Sequence, residues 1–334
     1  MKKARLPRCD IALLVDEETG EHRASGVFVP EADDVEEKVA RALARRYRRV
    51  EVVPFLPSVV ETVERLRRLR PRVVFNLTEW VDGDRRLDAA VAGLLDVMKV
   101  RYTGTGPDGL RLARDKALAK RIVGGLGVAV PGSFGVNGDR HAGAPLRFPL
   151  VVKPGFGDGS DGITKASVVH NVRELRAQAR RVQARTRGAV LCEEYVAGRD
   201  VYVGLLGNEP AVLPPVELVV RSRRRGAPRI ATYRLKSDPR YRRKWGIHYR
   251  RARLDPQVLE AVEAASRGIF HALKLRDYAR LDFRLTDEGR LYFIEANPNP
   301  DLDPHALNRS GCFSGIGYDA LIARIVEAAR KRAR

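Results

Sequence analysis

RLDFRLTDEGRLYFIEANPNP, Arg280 to Pro300, is the stretch on which the fold turns. Two β-like runs, ARLDFRL and RLYFIEAN, flank an acidic turn ending in Gly289, the pattern of a hairpin with a tight loop. A two-residue loop, Glu288-Gly289, would set Asp282 opposite Glu295 and Arg280 opposite Asn297. Side chains alternate along a strand, so these four would share one face. Leu281 and Phe283 would lie on the other face with Tyr292, Ile294 and Ala296. Carboxylates facing each other across a ladder repel, and need either solvent or a cation between them. An ordinary amphipathic hairpin with a wet polar face meets the first condition. Paired hard oxygens with a nearby Asn amide meet the second, and suit Mg²⁺, which favours a few carboxylates plus substrate phosphates. A phosphate-binding loop elsewhere in the chain would decide between the two.

PLVVKPGFGDGSDGITKASVV is a candidate for that loop. Lys153 ends an apolar strand, and four glycines follow within the eight residues 155–162, with Ser160 among them. Glycines let the backbone fold back and bring N–H groups close to anionic oxygens. The lysine precedes the glycines, so this is no GxxxxGK[ST] loop, and a plain flexible turn would read the same way. Further on, VLCEEYVAGRDVYV joins two apolar strands through a loop at Gly198. Glu193, Glu194 and Asp200 cluster there, and a carboxylate such as Asp200 can accept from ribose hydroxyls.

The 334 residues are enough for two or three domains, and 44% of them are hydrophobic. No apolar run approaches the ~20 residues of a membrane helix. The apolar run IALLV near the basic start is too short for a signal segment and is followed at once by acids, so it reads as a first strand. Cys9, Cys192 and Cys312 are widely spaced, without CxxC or a neighbouring His, which points to neither disulfides nor zinc and fits a reducing cytoplasm. The net charge of +20 invites a nucleic-acid reading. Only 12 of the 62 basic residues are Lys, however, and much of the Arg lies on helix faces such as VERLRRLR. No RNP, zinc-finger or helix-turn-helix signature accompanies it, so nucleic acid is not the expected partner.

Residues 10–105 alternate strand and helix patterns: IALLV, DVEEKVARALARRY, VEVVPF, VVETVERLRRL, RVVFNL, LDAAVAGLLDVM and VRYTGT. That alternation implies an open, mostly parallel sheet that binds ligands at the carboxyl ends of its strands. LRLARDKALAKRIVGGLG reads as one helix leading out of this domain. PLVVKP and AVLCEEYV read as strands, with the Gly-rich turn, ITKASVV and a basic helix between them, and YDALIARIVEAARKRAR as the last helix.

In their order and spacing, Lys153 with its Gly loop, EEYVAGRD and LDF…FIEANPNP resemble the ATP-grasp fold, and most closely its D-alanine:D-alanine ligase branch. RVVFNL, GLLDVMKVRYTGTG and ARDKALAK extend the resemblance into the first domain, so that it covers most of the chain. It implies an α/β chain: a Rossmann-like parallel-sheet domain at 1–107, a central ATP-grasp subdomain at 108–191 and a C-terminal catalytic subdomain at 192–334. The activity implied is ATP-dependent joining of a carboxylate to an amine through an acyl phosphate, with release of ADP and phosphate. By the same resemblance Lys116 and Lys153 hold the ATP phosphates under the loop with Gly157, Gly159 and Ser160. Glu193 meets the adenine, Tyr195 and Val196 offer it backbone, and Asp200 binds the ribose. Asp282, Glu295 and Asn297 carry two Mg²⁺, with Mn²⁺ as a substitute, Arg280 steadies the reacting oxyanion, and Lys236 in TYRLKS reaches the γ-phosphate. A homodimer is also implied.

The chain departs from the family where the amino acids bind. VDEETGEH replaces a Gly-Gly-x-Ser-x-Glu turn, leaving Glu17 or Glu18 as stand-ins for its acid. Asn76-Leu77-Thr78-Glu79-Trp80 stands where the family has Asn-Ala-Leu-His-Gly. Ser237 replaces a tyrosine, Asp301 a glycine and Ala306 a serine. Residues 221–253 carry 14 Lys or Arg against one acid, which suits either a solvated surface or attraction of an acidic substrate. Amino-acid-like small molecules are the expected partners, with a different amino acid or an acidic, larger acceptor as the alternative. A basic nucleotide- or nucleic-acid-binding module without catalysis would have no use for the metal set.

Overall fold

The structure, a computed structural model, describes residues 8–23, 27–137, 140–141, 147–157, 163–186, 188–220, 238–303 and 305–332. Gly159, Ser160, Lys236 and Ser237 lie outside the described residues.

The N-terminal sheet is parallel, with Ile11–Asp16 between Val50–Phe55 and Val73–Asn76. Ile11–Asp16 is buried along its whole length, as a central strand covered on both faces must be. Its alternate residues feed two cores. Ile11, Leu13 and Val15 pack with Val39 and Leu43 of helix Val35–Ala44 and with Leu321, Ile325 and Val326 of the last helix, Tyr318–Lys331. Ala12 and Leu14 pack with Leu66, Ala92 and Leu95 on the opposite side. The expected strand in VRYTGT is reduced to a single bridge, Tyr102 to Val74. The chain then turns at Gly104, φ 93°, whose N–H donates to Asp277 at 2.9 Å.

Two antiparallel sheets follow. The first has five strands, with Leu150–Pro154 paired to Val190–Glu194, and helix Val172–Thr186 packs on it. Of ITKASVV only Val168–Val169 is strand, preceded by a turn of 3₁₀ helix at Lys165–Ser167 that Thr164 caps. The second sheet has six strands among the described residues and runs through Arg199–Leu206, Tyr278–Leu285 and Leu291–Asn297.

The hairpin reaches the expected pairing of its polar residues by a different route. Its loop has three residues, Asp287 to Gly289: Thr286 N–H donates to Arg290 O at 3.0 Å, and Gly289 has φ 80°. That displaces the ladder by one residue, so Phe283 faces Phe293. The offset is cancelled by a bulge between Asp282 and Phe283 on one side and Phe293 and Glu295 on the other, which restores Asp282 opposite Glu295 and Arg280 opposite Asn297. Phe293, not Ile294, therefore joins the apolar face; it is fully buried against the Phe283 ring, 6.0 Å between centroids.

LRLARDKALAKRIVGGLG is two helices, Pro107–Arg114 and Lys116–Gly125. Asp115 breaks them with an extended ψ of 93° and caps the second through its carboxylate, which accepts from Leu118 N at 2.9 Å. The break has a function in the packing. Lys116 N donates to Gly155 O at 3.0 Å and Gly157 N to Arg114 O at 3.1 Å, stitching this corner to the start of the Gly-rich loop.

Candidate active site

Strand Tyr278–Leu285 is buried from end to end, yet every second residue of its central part is charged. Leu281, Phe283 and Leu285 enter the core. Arg280, Asp282 and Arg284 line the opposite face, flanked by Asp200 and Tyr202 on one neighbouring strand and by Glu295 and Asn297 on the other. Burial of this many charges requires pairing. Arg280 grips Asp282 with both ends, Nε to Oδ1 at 2.7 Å and Nη2 to Oδ2 at 3.1 Å. Arg284 pairs with Asp200 across the ladder at 3.1 Å and lies over the Tyr195 ring at 5.9 Å.

The five-stranded sheet meets this face with a second buried lattice. Lys153 and Glu193, diagonal neighbours on adjacent strands, are 2.6 Å apart. Lys120 reaches the other Glu193 oxygen at 3.2 Å and also donates to the carbonyl of Ile294, the residue at the bulge. Burial alone would raise the Glu193 pKa, but the two lysines hold it below its usual value. Burial pushes Lys120 down to about 8, with Lys153 adding to the effect and Glu193 opposing it.

Between the sheets lies a cavity of about 70 Å³ lined by Lys153, Glu193, Tyr195, Val196, Asp200, Asp282 and Glu295 among others. Sequence reading named each of these. Lys116 and Gly157 stand together but are not part of this lining, the Lys116 ammonium donating to Gly157 O. Lys120 and Arg284 were missed. Lys120 had a signal, since it lies four residues after Lys116 on one helix face; Arg284 continues the alternation of Arg280 and Asp282.

The oxygen-rich face fits a divalent cation. Asp282, Glu295 and Asn297 are all buried and bring two carboxylates and an amide oxygen, a donor set that suits Mg²⁺, to one face; the amide Nδ2 of Asn297 has no hydrogen-bond partner and calls for an acceptor such as a phosphate oxygen.

A model of the family described as "D-ala D-ala ligase C-terminus" matches residues 137–327, more than half of the chain. The chain belongs to the D-alanine–D-alanine ligase family. The D-alanine–D-alanine ligase of Aquifex aeolicus is 31% identical over 265 residues, 78% of this chain and 84% of that one. The ligase of Geotalea uraniireducens is 33% identical over 262 residues, 75% and 79% of the two chains. The fold matches the ATP complex of the Bacillus anthracis D-alanine–D-alanine ligase with a TM-score of 0.73 at 20% identity, over 97% of this chain and 99% of that one. This is an ATP-grasp enzyme of the C–N ligase class.

The ligase's other end, at the C-terminal edge of the parallel sheet, is acidic. Asp16 is buried and accepts from the N–H groups of Glu79 and Trp80 at 3.0–3.2 Å. Burial raises it to about 6 against those two hydrogen bonds. Glu36 is pushed up to about 7, by burial first and then by Asp34, Asp16 and Asp301. Asp303 is paired with Lys38 at 2.7 Å. Glu17 and Glu18, the expected stand-ins, sit on a short turn with no buried residue, whereas the buried acids are Asp16 and Glu36. Among the described residues no helix is long and apolar enough to cross a membrane.

Proposed function

We propose that this ligase joins two amino acids of the D-alanine type by the acyl-phosphate route. The observation that carries the proposal is the buried Asp282–Glu295–Asn297 face set against the Lys120–Glu193–Lys153 lattice. ATP enters as a substrate between the two sheets. Lys116 and Lys153 hold its phosphates at the mouth of the Gly-rich loop, where Gly159 and Ser160 follow. Glu193, Tyr195 and Val196 meet the adenine. Asp200 takes the ribose hydroxyls, exchanging part of its pairing with Arg284. Asp282, Glu295 and Asn297 would hold Mg²⁺, which when bound supplies positive charge to the phosphate oxygens.

A substrate carboxylate oxygen attacks the γ-phosphorus, ADP leaves, and an acyl phosphate forms. Lys236 neutralises the transferring phosphoryl group. A second substrate's amine attacks the acyl carbon, phosphate departs with the C–O bond pair, and the nitrogen loses a proton. Arg280, fixed by Asp282, steadies the oxyanion of that step. The ammonium of the first amino acid sits by Asp16 and Glu36, whose charge would favour it. The three-part division at 107 and 191 belongs to the same reading, as do a cytoplasmic site, supported by free buried Cys9 and Cys192, and a homodimer.

Purified protein with D-alanine, ATP and Mg²⁺ should release ADP and phosphate in step with a dipeptide seen by mass spectrometry. Release of AMP and pyrophosphate would overturn the acyl-phosphate route.

A further inference from the structure

The amino-acid side of the site holds more negative charge than one α-ammonium can neutralise. Leu302 is buried in the core that also takes Val15, and Val35 and Tyr318 pack against that core. Their chain neighbours Asp16, Glu36, Asp301 and Asp303 are thereby gathered at its edge. Glu36 is only 9% exposed and makes no ion pair or hydrogen bond with another residue among the described residues. The charges that act on it, Asp34, Asp16 and Asp301, are all acids. Tyr318, at the start of the last helix, adds a second group in the same condition: its Oη is buried without a hydrogen-bond partner among the described residues, and Asp303, Asp301 and Glu36 act on it. Two polar groups from two helices, neither with a partner, thus meet one set of carboxylates, where buried polar groups normally find partners.

The cations nearby are already committed. Lys38 pairs with Asp303 at 2.7 Å, and Arg85, which acts on Asp16, is held by Glu79. Arg242 lies 2.9 Å from Nδ1 of His305 and must donate to it, so that nitrogen carries no proton and the ring is neutral. His305 Nε2, 3.8 Å from Asp301, therefore leaves that carboxylate uncompensated. Asp301, Asp303 and His305 have ligand atoms within 4.8 Å of one another, but a metal ion there would face the fixed charges of Lys38 and Arg242. An ammonium group on the Glu36 side of Asp301 meets no such conflict. Asp16 and one oxygen of Glu36 serve the α-ammonium of the first amino acid. The other oxygen of Glu36, Asp301 and Tyr318 Oη then remain, three acceptors for the three N–H bonds of a second ammonium.

We propose that one of the two amino acids this ligase joins is a diamino acid, its side-chain ammonium held by Glu36, Asp301 and Tyr318. This rests on the ligation proposed above and names its substrate class. An acidic side chain would meet like charge at the same place.

D-Ornithine and D-norleucine carry an ammonium and a methyl, respectively, at the end of the same side chain, so comparing them isolates the charge. Mass spectrometry of the mixed dipeptide formed with D-alanine, ATP and Mg²⁺ should give D-ornithine a kcat/KM at least ~10-fold above that of D-norleucine. Asp301→Asn should lower that ratio about 10-fold and Tyr318→Phe about 3-fold. A merely structural role would change both substrates alike and leave the ratio where it was. Equal kcat/KM for the two in the wild-type chain, or a ratio unmoved by Asp301→Asn, overturns the proposal. So does Mn²⁺ binding that is lost in Asp301→Asn while the two amino acids stay equal, which would give the acids to a metal. Calorimetric titration of each amino acid into the full chain, saturated with a non-hydrolysable ATP analogue and Mg²⁺, reads the same ratio without turnover. Ligation of D-alanine with no preference for D-ornithine would remove the diamino acid and keep the ligation reading; about tenfold tighter D-ornithine binding without ligation would do the reverse.

Discussion

The nucleotide side of the site and the amino-acid side are built from the same residue types in opposite arrangements. On the nucleotide side buried carboxylates lie against buried cations: Glu193 is held between Lys120 and Lys153, and Arg280 grips Asp282. On the amino-acid side Asp16 and Asp301 lie within electrostatic reach of Glu36, which makes no ion pair among the described residues. The first arrangement keeps Glu193 ionised in a dry place, ready to exchange an internal cation for a substrate's metal and phosphates. The second holds Glu36, pushed up to about 7, partly protonated near neutral pH, with Asp16 raised to about 6, until a positive group arrives. Pre-paired charge and waiting charge respond differently to mutation and to pH.

Glu295→Gln attacks the nucleotide side and should have the largest effect. Removing one carboxylate charge from the face opposite Asp282 should lower turnover roughly 10²–10³-fold, the scale on which electrostatic stabilisation of phosphoryl transfer operates. The neutral side chain keeps its shape, so the thermal melt should barely move. ADP release and a melting curve check both, and wild-type turnover in this variant would remove the face from the chemistry.

Glu36→Gln attacks the amino-acid side. The folded pKa of Glu36, about 7, lies above its ordinary 4.5, so the folded state binds the proton more tightly than the unfolded chain. The associated stability is complete below the ordinary pKa and is lost as pH rises through about 7. Asp16, raised to about 6 from 3.8, adds a loss in the same direction at lower pH. At high pH Glu36→Gln should therefore be more stable than the wild type by on the order of 3 kcal/mol, with the two converging near pH ~4. Denaturant melts at several pH values measure this, and a wild-type stability flat from pH ~5 to ~9 would contradict it.

These two sides also differed in how legible they were. The hairpin face could be read because strand alternation is local: once Gly289 marks the turn, Arg280, Asp282, Glu295 and Asn297 must share a face. The loop length was misjudged by one residue, and the bulge at Ile294 that cancels the error has no signature in FIEAN. Lys120 shares a helix face with Lys116 four residues earlier, so its place could be read; its burial could not, because that depends on the break at Asp115, where the second helix begins. The acid cluster could not be read at all, since it draws Asp16, Glu36 and Asp301 from three distant segments that meet only when the last helix and the hairpin dock on the parallel sheet. The helix break could have been suspected from Asp115 as a capping residue.

Lys120→Met sharpens the nucleotide side by asking whether its second lysine serves the ligand or only Glu193. Lys153 remains to pair the carboxylate, so folding should survive. The KM for ATP should rise about tenfold, ~1.4 kcal/mol, with kcat little changed. The Lys120 pKa of about 8 adds a pH signature: wild-type KM should climb as pH passes that value, and the variant should lack the climb. A lower melting temperature with an unaltered KM would make Lys120 a purely structural partner.

Gly289→Ala should have the smallest effect, and it decides which feature holds the nucleotide side in register. Gly289 has φ 80° with nothing within 4 Å of where a Cβ would lie, so the only cost is the left-handed backbone, about 1 kcal/mol. The turn is separated from the Asp282–Glu295 pair by the bulge, which already absorbs a one-residue offset between them. Strain introduced at the turn should stop there. The melt should fall by a few degrees while kcat and both KM values stay at wild-type levels. If kcat fell together with the melting temperature, the carboxylate face would be held by the turn, and the bulge at Ile294 would be a consequence of its register. If only stability moved, the bulge, with Lys120 donating to its carbonyl, is what fixes the two acids opposite each other.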